Sequence, residues 1–354
     1  MTTTFHDWRK RLLTALLGLL FIFITLLSAN VFKGWTGETT GVSGATQGGL
    51  LGMSLPADFR PFAPTSPWNT PIPPDPAVDP YSEMIIARMR HECDVLSGSF
   101  DAWTTPLFVI NAAKSPKAMV FIQGDCVNPI LDPDETRVVR DIPIPEGVFP
   151  DPSEDGHMLL VDTLLKRSWS FTQARRLSRT VWSVYGINTW DLNGAGFRPP
   201  SMGRLSCSDG SRGSGFPLIA GLIRPEEIEA GEIRHALVFA SPVNRKGVLC
   251  SPPASATDGG REGPDFIPEG ARLQLDPDLD LDALGLSYAA KVIAKALQRY
   301  GMFCGDNSAV LKLYFQNLGE GANIWKTKYH YIPDLKKIPV DKFRVLKCNR
   351  IFYQ

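Results

Sequence analysis

The sequence predicts a mainly β protein: an antiparallel β-sandwich of jelly-roll type with a few helices, preceded by one transmembrane helix. Three observations predict it. Short apolar runs recur between Gly, Pro and Asp residues, the pattern of buried strands. The chain holds 31 Gly and 29 Pro in 354 residues, which favours a loop-rich β protein over a helical bundle. Finally, Leu12 to Phe32 carries no charge, and as a helix it is about 30 Å long, enough to cross the hydrocarbon core.

The N-terminus sets the expected location. Arg9, Lys10 and Arg11 precede the apolar run and only Lys33 follows it closely, so the positive-inside rule puts residues 1–11 in the cytoplasm and the bulk outside. The run is longer than the core of a cleaved signal peptide, and Leu27 stands where a small residue would precede a cleavage site at Ala29. Residues 12–32 therefore read as a retained membrane anchor, with Trp8 and Trp35 at its two interfaces; the bacterial inner membrane is what the resemblances given below imply. Residues 33–80, rich in Gly and then in Pro, read as an extended linker. Residues 81–325 form the expected β-sandwich, with Trp68 as a plug into its core, and 326–354 a basic, aromatic tail.

Within the body, Ser82 to Glu92 has the spacing of a short amphipathic helix. Pro106–Ile110, Ala118–Ile122, Ala271–Leu275 and Val310–Phe315 read as strands, and 132–152 and 251–268 as long loops. Leu286 to Tyr300 is the clearest helix, with Ala289, Val292, Ile293, Ala296 and Leu297 on one face and Gly301 as its stop. Lys plus Arg equals Asp plus Glu, 37 each, which argues against a nucleic-acid partner. Of the six cysteines, none forms a Cys-x-x-Cys pair, so disulfides outside the cytoplasm are expected rather than a zinc site. Adjacent strands suggest Cys93 with Cys126 and Cys207 with Cys250. No metal-ligand cluster, phosphate loop or nucleophile elbow occurs, and no cofactor is implied.

The candidate chemistry lies in the stretch from Asp155 to Ser241 and in Asp306. His157 opens the run Met158-Leu159-Leu160-Val161-Asp162; Trp190-Asp191-Leu192 follows; His235 opens the run before Ser241. A glycan hydrolase needs an acid and a base or nucleophile held at a fixed separation, and a lyase needs an analogous pair. His157, Asp162, Asp191 and His235 could supply them, with Asp306, provided that they share one open cleft. The plainer reading is that the histidines cap strand ends and the aspartates make turns.

These residues carry a resemblance. Asp155-Gly156-His157, Trp190-Asp191-Leu192, Gly215-Phe216-Pro217, Gly231-Glu232-Ile233-Arg234-His235-Ala236-Leu237 and Arg299-Tyr300-Gly301-Met302 with Asp306-Asn307 resemble, in order, a group of secreted or periplasmic bacterial β-sandwich proteins that look carbohydrate-active. The resemblance spans about Ser66 to Asn307 and implies a fold more than an activity. Where it implies an acid in the strand after Asp162, this chain has Trp169-Ser170-Phe171. The segment Asp7-Trp8-Arg9 before a Leu/Phe-rich span also resembles the single-span polypeptides of bacterial photosynthetic complexes. The expectation that follows is an accessory subunit of a larger membrane assembly. It touches other membrane subunits and the bilayer through its anchor, linker and tail. A membrane-tethered enzyme acting on a glycan is the alternative.

Overall fold

The run Met158–Asp162 is buried at every position, so this strand is covered on both faces, where a half-solvated strand would alternate. The computed structural model describes residues 52–200, 210–321 and 323–354, and it organises them around three sheets. The first has the order β15 (Gln316–Asn317), β2 (Thr105–Val109), β5 (Met158–Asp162), β6 (Arg167–Thr172), β8 (Val181–Asp191), β3 (Lys117–Cys126) and β4 (Val138–Pro143), with β7 (Arg175–Arg176) also paired to β8. The second runs β1 (Ser97–Ser99), β14 (Lys312–Tyr314), β9 (Leu237–Ser241), β13 (Met302–Asn307), β12 (Arg272–Leu275) and β16 (Phe343–Val345). A small third sheet joins β11 (Ile267–Glu269), β10 (Asn244–Cys250) and β17 (Ile351–Tyr353).

The fold is mainly β with few helices, but its sheets are mixed and not the antiparallel jelly roll expected. β2 and β5, β3 and β8, and β9 and β13 pair in parallel, while β5/β6, β6/β8 and β12/β13 are antiparallel. Parallel neighbours need long crossovers. The segment from Ser241 to Met302, which carries three strands and a helix between β9 and β13, is one of them.

Alternate residues of the central strands feed different cores. Leu159 and Val161 of β5 join Val238 and Ala240 of β9, Phe303 and Trp68 in one cluster shared by the first two sheets. Trp68 is fully buried and stands edge-on to Phe216 and Phe303, at 4.8 and 5.0 Å between ring centroids. Its indole N–H donates to the Gly196 carbonyl at 2.7 Å, which satisfies the one polar atom of the plug. Leu160, Trp169 and Phe171 point the other way into a second cluster. Phe239, Cys304 and Leu313 face a third, covered by helices α1 (Ser82–Cys93) and α3 (Tyr288–Arg299); a short helix, α2 (Pro225–Ala230), lies between them in sequence. Helix α3 starts where Ser287 accepts a hydrogen bond from the Ala290 N–H. It stops at Gly301, whose φ of +65° and closeness to the Leu273 carbonyl exclude a side chain.

Two boundaries differ from the sequence reading. The linker expected over 33–80 ends earlier: Gly52 bridges Val109, Val78 bridges Leu346, and Leu55, Phe62 and Trp68 are core residues. The segment has little periodicity because it is pinned by single large side chains, not by regular structure. The tail expected over 326–354 is part of the body, since β16 closes one edge of the second sheet and β17 pairs with β10. That pairing also corrects the disulfides. β17 runs beside β10, and Cys250 is bonded to Cys348 rather than to Cys207. Cys93 is a buried free thiol, not the partner of Cys126, and Cys126 is itself disulfide-bonded. Among the described residues no helix is long and apolar enough to cross a membrane; the anchor expected over 12–32 lies outside them.

Candidate active site

The five residues singled out from the sequence do not converge. Asp162 and Asp191 sit at one end of the first sheet, both in register with Arg167. His157 precedes the other end of β5, about 16 Å away at ~3.3 Å per residue. The buried Asp162 carboxylate accepts from the Ala112, Leu164 and Leu165 N–H groups at 2.7 to 2.9 Å, and Asp191 accepts from Asn193 N–H in an exposed Asx turn. His235 is buried, with Nε2 2.9 Å from Glu227 Oε1 and Nδ1 3.0 Å from the Ala236 carbonyl oxygen. Glu227 also holds the Arg224 guanidinium at 2.8 Å and caps the start of α2. These three candidates have the bonds of structural residues. The catalytic set His157, Asp162, Asp191 and His235 is therefore not one cleft.

His157 and Asp306 do come together. They line an open cavity of about 630 Å³ with Trp103, Asp155, Ser211, Asp258, Asn307, Lys312 and Tyr314 among its walls. A β-bulge delivers Asp306. Along the parallel pair of β9 and β13, Cys304 opposes Phe239 and Asp306 opposes Ala240, so β13 spends one extra residue, Gly305, on a single step. Without the bulge, strict alternation from Cys304 would turn Asp306 to the helix-covered face; with it, Asp306 shares the face of Ala240. Gly305 is the residue that fits there, because a Cβ would stand 2.6 Å from Val238 Cγ1.

The Asp306 carboxylate accepts from the Gly213 N–H at 3.3 Å, the Asn307 N–H at 3.2 Å and the Tyr314 hydroxyl at 3.4 Å. Asn307 ties it to a second carboxylate, donating from Nδ2 to Asp258 Oδ1 at 2.7 Å. Gly213 also lies between the two, and a Cβ there would overlap the Asp258 carboxyl group. Beneath them is Glu269, fully buried. It accepts from Asn244 Nδ2 at 3.1 Å and from the Asp258 N–H at 3.1 Å, and its side chain is hydrogen-bonded to the Asp258 carboxylate. The Arg212 side chain is sealed from solvent, 3.7 Å over the Tyr314 ring and 3.9 Å from Asp306 Oδ2. Its guanidinium nitrogens and His157 Nδ1 have no hydrogen-bond partner among the described residues.

Burial and like charge shift the titration of nearly every group. Asp306 is pushed up to about 7, first by burial and then by the charge of Asp258, with Arg212 opposing. Burial also raises Asp258 and Asp155. Glu269 rises well above the carboxylate range through burial and the charges of Asp258 and Asp306. Burial drives His157 down to about 3, aided by the charge of Arg212, and lowers Lys312. The chemistry available is proton transfer: a carboxylic acid that keeps its proton near neutrality beside one fed by hydrogen bonds as a carboxylate. No group of three or more His, Cys, Asp or Glu among the described residues is arranged to hold a metal ion.

Sequence reasoning passed over Asp258, Glu269, Arg212, Lys312 and Tyr314. Asp258 stands in a segment read as a loop, and Lys312 and Tyr314 in one read as a plain strand. Asp258-Gly259-Gly260 and Gly213 next to Arg212 are signals of close backbone approach, but nothing local says that the two loops meet. Compared with known proteins, the chain matches no family model, no curated protein and no solved structure.

Proposed function

We propose that the domain is an acid–base enzyme acting on a glycan, with Asp306 as the proton donor and Asp258 as the partner carboxylate. One observation carries the reading: Asp155, His157, Asp258, Asp306 and Tyr314 border one open cavity, and Asn307 couples the two central carboxyl groups. In this scheme Asp306 protonates the leaving glycosidic oxygen. Asp258, accepting from Asn307 and Glu269, stabilises or attacks the developing positive charge at the sugar carbon, or activates a water there. Trp103, which is exposed, offers an aromatic face to the sugar, and Lys312 a donor. The apolar leading segment, residues 12–32, would hold the site on the outer side of a bacterial inner membrane.

The test is release of new reducing ends from a panel of neutral and acidic polysaccharides by the full-length protein in mild detergent. Turnover by the wild type and its loss in Asp306→Asn support the reading. No turnover on any substrate, with membrane proteins co-purifying in fixed ratio, would return the account to the accessory subunit of a membrane assembly that the N-terminus suggests.

A further inference from the structure

Arg212 is the buried charge to which the acid–base scheme above gives no part. Its side chain is sealed from solvent, and among the described residues none of its guanidinium nitrogens has a hydrogen-bond partner. A guanidinium carries five N–H donors, and a buried cation with none of them answered is a costly arrangement. A ring and a turn hold it. The guanidinium carbon lies 3.7 Å from the centroid of the Tyr314 ring. The turn from Ser211 to Phe216 is closed by the Ser211 N–H donating to the Phe216 carbonyl at 3.2 Å and the Gly215 N–H to the Arg212 carbonyl at 2.8 Å.

The same turn is fastened to the bulge that presents Asp306. Ser214 donates from its N–H and from its hydroxyl to the Gly305 carbonyl, at 3.2 and 2.7 Å. The Gly213 N–H donates to Asp306 Oδ1 at 3.3 Å, while Oδ2 lies 3.9 Å from the Arg212 guanidinium and 3.4 Å from the Tyr314 hydroxyl. At 3.9 Å the cation attracts the carboxyl group without hydrogen-bonding to it. One turn thus brings Asp306 both an N–H and a positive charge, two influences that favour its carboxylate form. Asp258 and Asp155 oppose that form, and Glu269 stands behind Asp258. His157 is neutral, and Lys312 of β14 is the other cation that feels the Asp306 charge.

We propose that Arg212 is a positioning residue for the proton step: as Asp306 gives up its proton, the guanidinium closes on Oδ2 and holds the new carboxylate until the proton returns. The inference rests on the reading of Asp306 as the proton donor. In that step the Asp306 O–H bond breaks and its electron pair stays on the carboxylate. The proton goes to the leaving glycosidic oxygen, which keeps the pair of the broken bond to the sugar carbon. A move of about 1 Å takes a guanidinium nitrogen from 3.9 Å to the distance of a charge-assisted hydrogen bond. The attraction is weak towards the neutral acid and strong towards the buried carboxylate. It therefore favours the state after proton transfer over the resting one.

NMR of the full-length protein in detergent micelles, labelled with ¹³C at aspartate and glutamate and with ¹⁵N at arginine, tests this. In the wild type the Arg212 side-chain signal, identified by its loss in Arg212→Lys, should shift with the same midpoint as the Asp306 carboxyl group. It should stay still in Asp306→Asn. In Arg212→Met, which removes the charge and keeps much of the bulk, Asp306 should become about tenfold weaker as an acid, its midpoint rising by about one pH unit. Arg212→Lys should recover most of that shift, which a packing defect would not allow. If Asp306 titrates near 7 but the Arg212 signal does not follow it, or Arg212→Met leaves the Asp306 midpoint in place, Arg212 is a structural cation and the acid reading stands without it. If Asp306 titrates below about pH 5, in the ordinary carboxylate range, the acid reading falls and this inference with it.

Discussion

His235 and His157 each open a buried strand, and the contrast between them separates the two ends of the molecule. His235 itself is fully answered: both ring nitrogens have an oxygen within 3.0 Å, and Glu227 also holds Arg224. Around His157 fewer of the polar groups are. Its ring is hydrogen-bonded to the Ser211 backbone, but among the described residues its Nδ1 is unpartnered, Arg212 has a ring face and a carboxylate 3.9 Å away, and three carboxyl groups crowd one cavity. A buried polar residue with all its bonds made stabilises a fold and specifies its geometry. One with bonds left over, lining an open cavity beside groups of shifted titration, is where a ligand would be sought first. Residue type alone says nothing of which kind it is.

The contrast can be broken in order of expected effect. Glu227→Ala leaves a buried guanidinium without its counter-ion, though still bonded to the Pro56 and Phe59 carbonyls, and a buried imidazole without its carboxylate, and should cost about 3–5 kcal/mol in denaturant unfolding. A loss under about 1 kcal/mol would mean that the closed end is not structural. Asp306→Asn should do the reverse, cutting any glycan turnover by about 10²–10⁴-fold while leaving the midpoint of unfolding at pH 7 unchanged or raised. Between these in character is Cys348→Ser. It opens a link with a sequence separation of 98 residues and should cost about 2–5 kcal/mol with no direct effect on the acid cavity.

Smaller and more diagnostic is the pH dependence of stability, because the two cavity residues push in opposite directions. Asp306 titrates near 7 when folded against about 3.9 unfolded, so the folded state binds this proton more tightly. Its contribution is complete below about pH 4 and is lost as pH rises to about 7. Asp306→Asn keeps the neutral form throughout, so its stability relative to wild type should grow from pH 4 to pH 8. His157 titrates near 3 when folded against about 6.5 unfolded. It costs stability as pH falls from about 6.5 towards 3, and His157→Gln should remove that acid-side loss. Urea melts of the three proteins from pH 4 to 8 would resolve both slopes, and parallel curves would contradict them.

Much of the fold was legible in the sequence. The helix ending at Gly301, the strand at Met158–Asp162 and the Trp68 plug follow from periodicity, capping and residue size, which are local. Burial on both faces was written there too, in the unbroken apolar runs of β5 and β9, since a strand solvated on one face would alternate; the direction of their neighbours, parallel on one side and antiparallel on the other, was not. The site was legible only where a local pattern coincided with it, at His157 and Asp306. Asp258, Glu269 and Arg212 belong to segments far apart in the chain, and their approach depends on tertiary contact. The turn to the cavity at Asp306 depends on a one-residue bulge that shifts alternation, and no periodicity predicts that. Asp162, Asp191 and His235 misled because turns and strand caps use the same residues as catalysis.

The most direct test of the account is a ¹³C-carboxyl NMR titration of protein labelled at aspartate and glutamate, with Asp306→Asn to assign the key resonance. Expected is a carboxyl group that titrates near pH 7 and vanishes in the variant, with Glu269, raised in part by the Asp306 charge, titrating at lower pH there. If every aspartate titrates below about pH 5, within the ordinary range for exposed carboxylates, the cavity holds no proton to give and the acid–base reading is wrong.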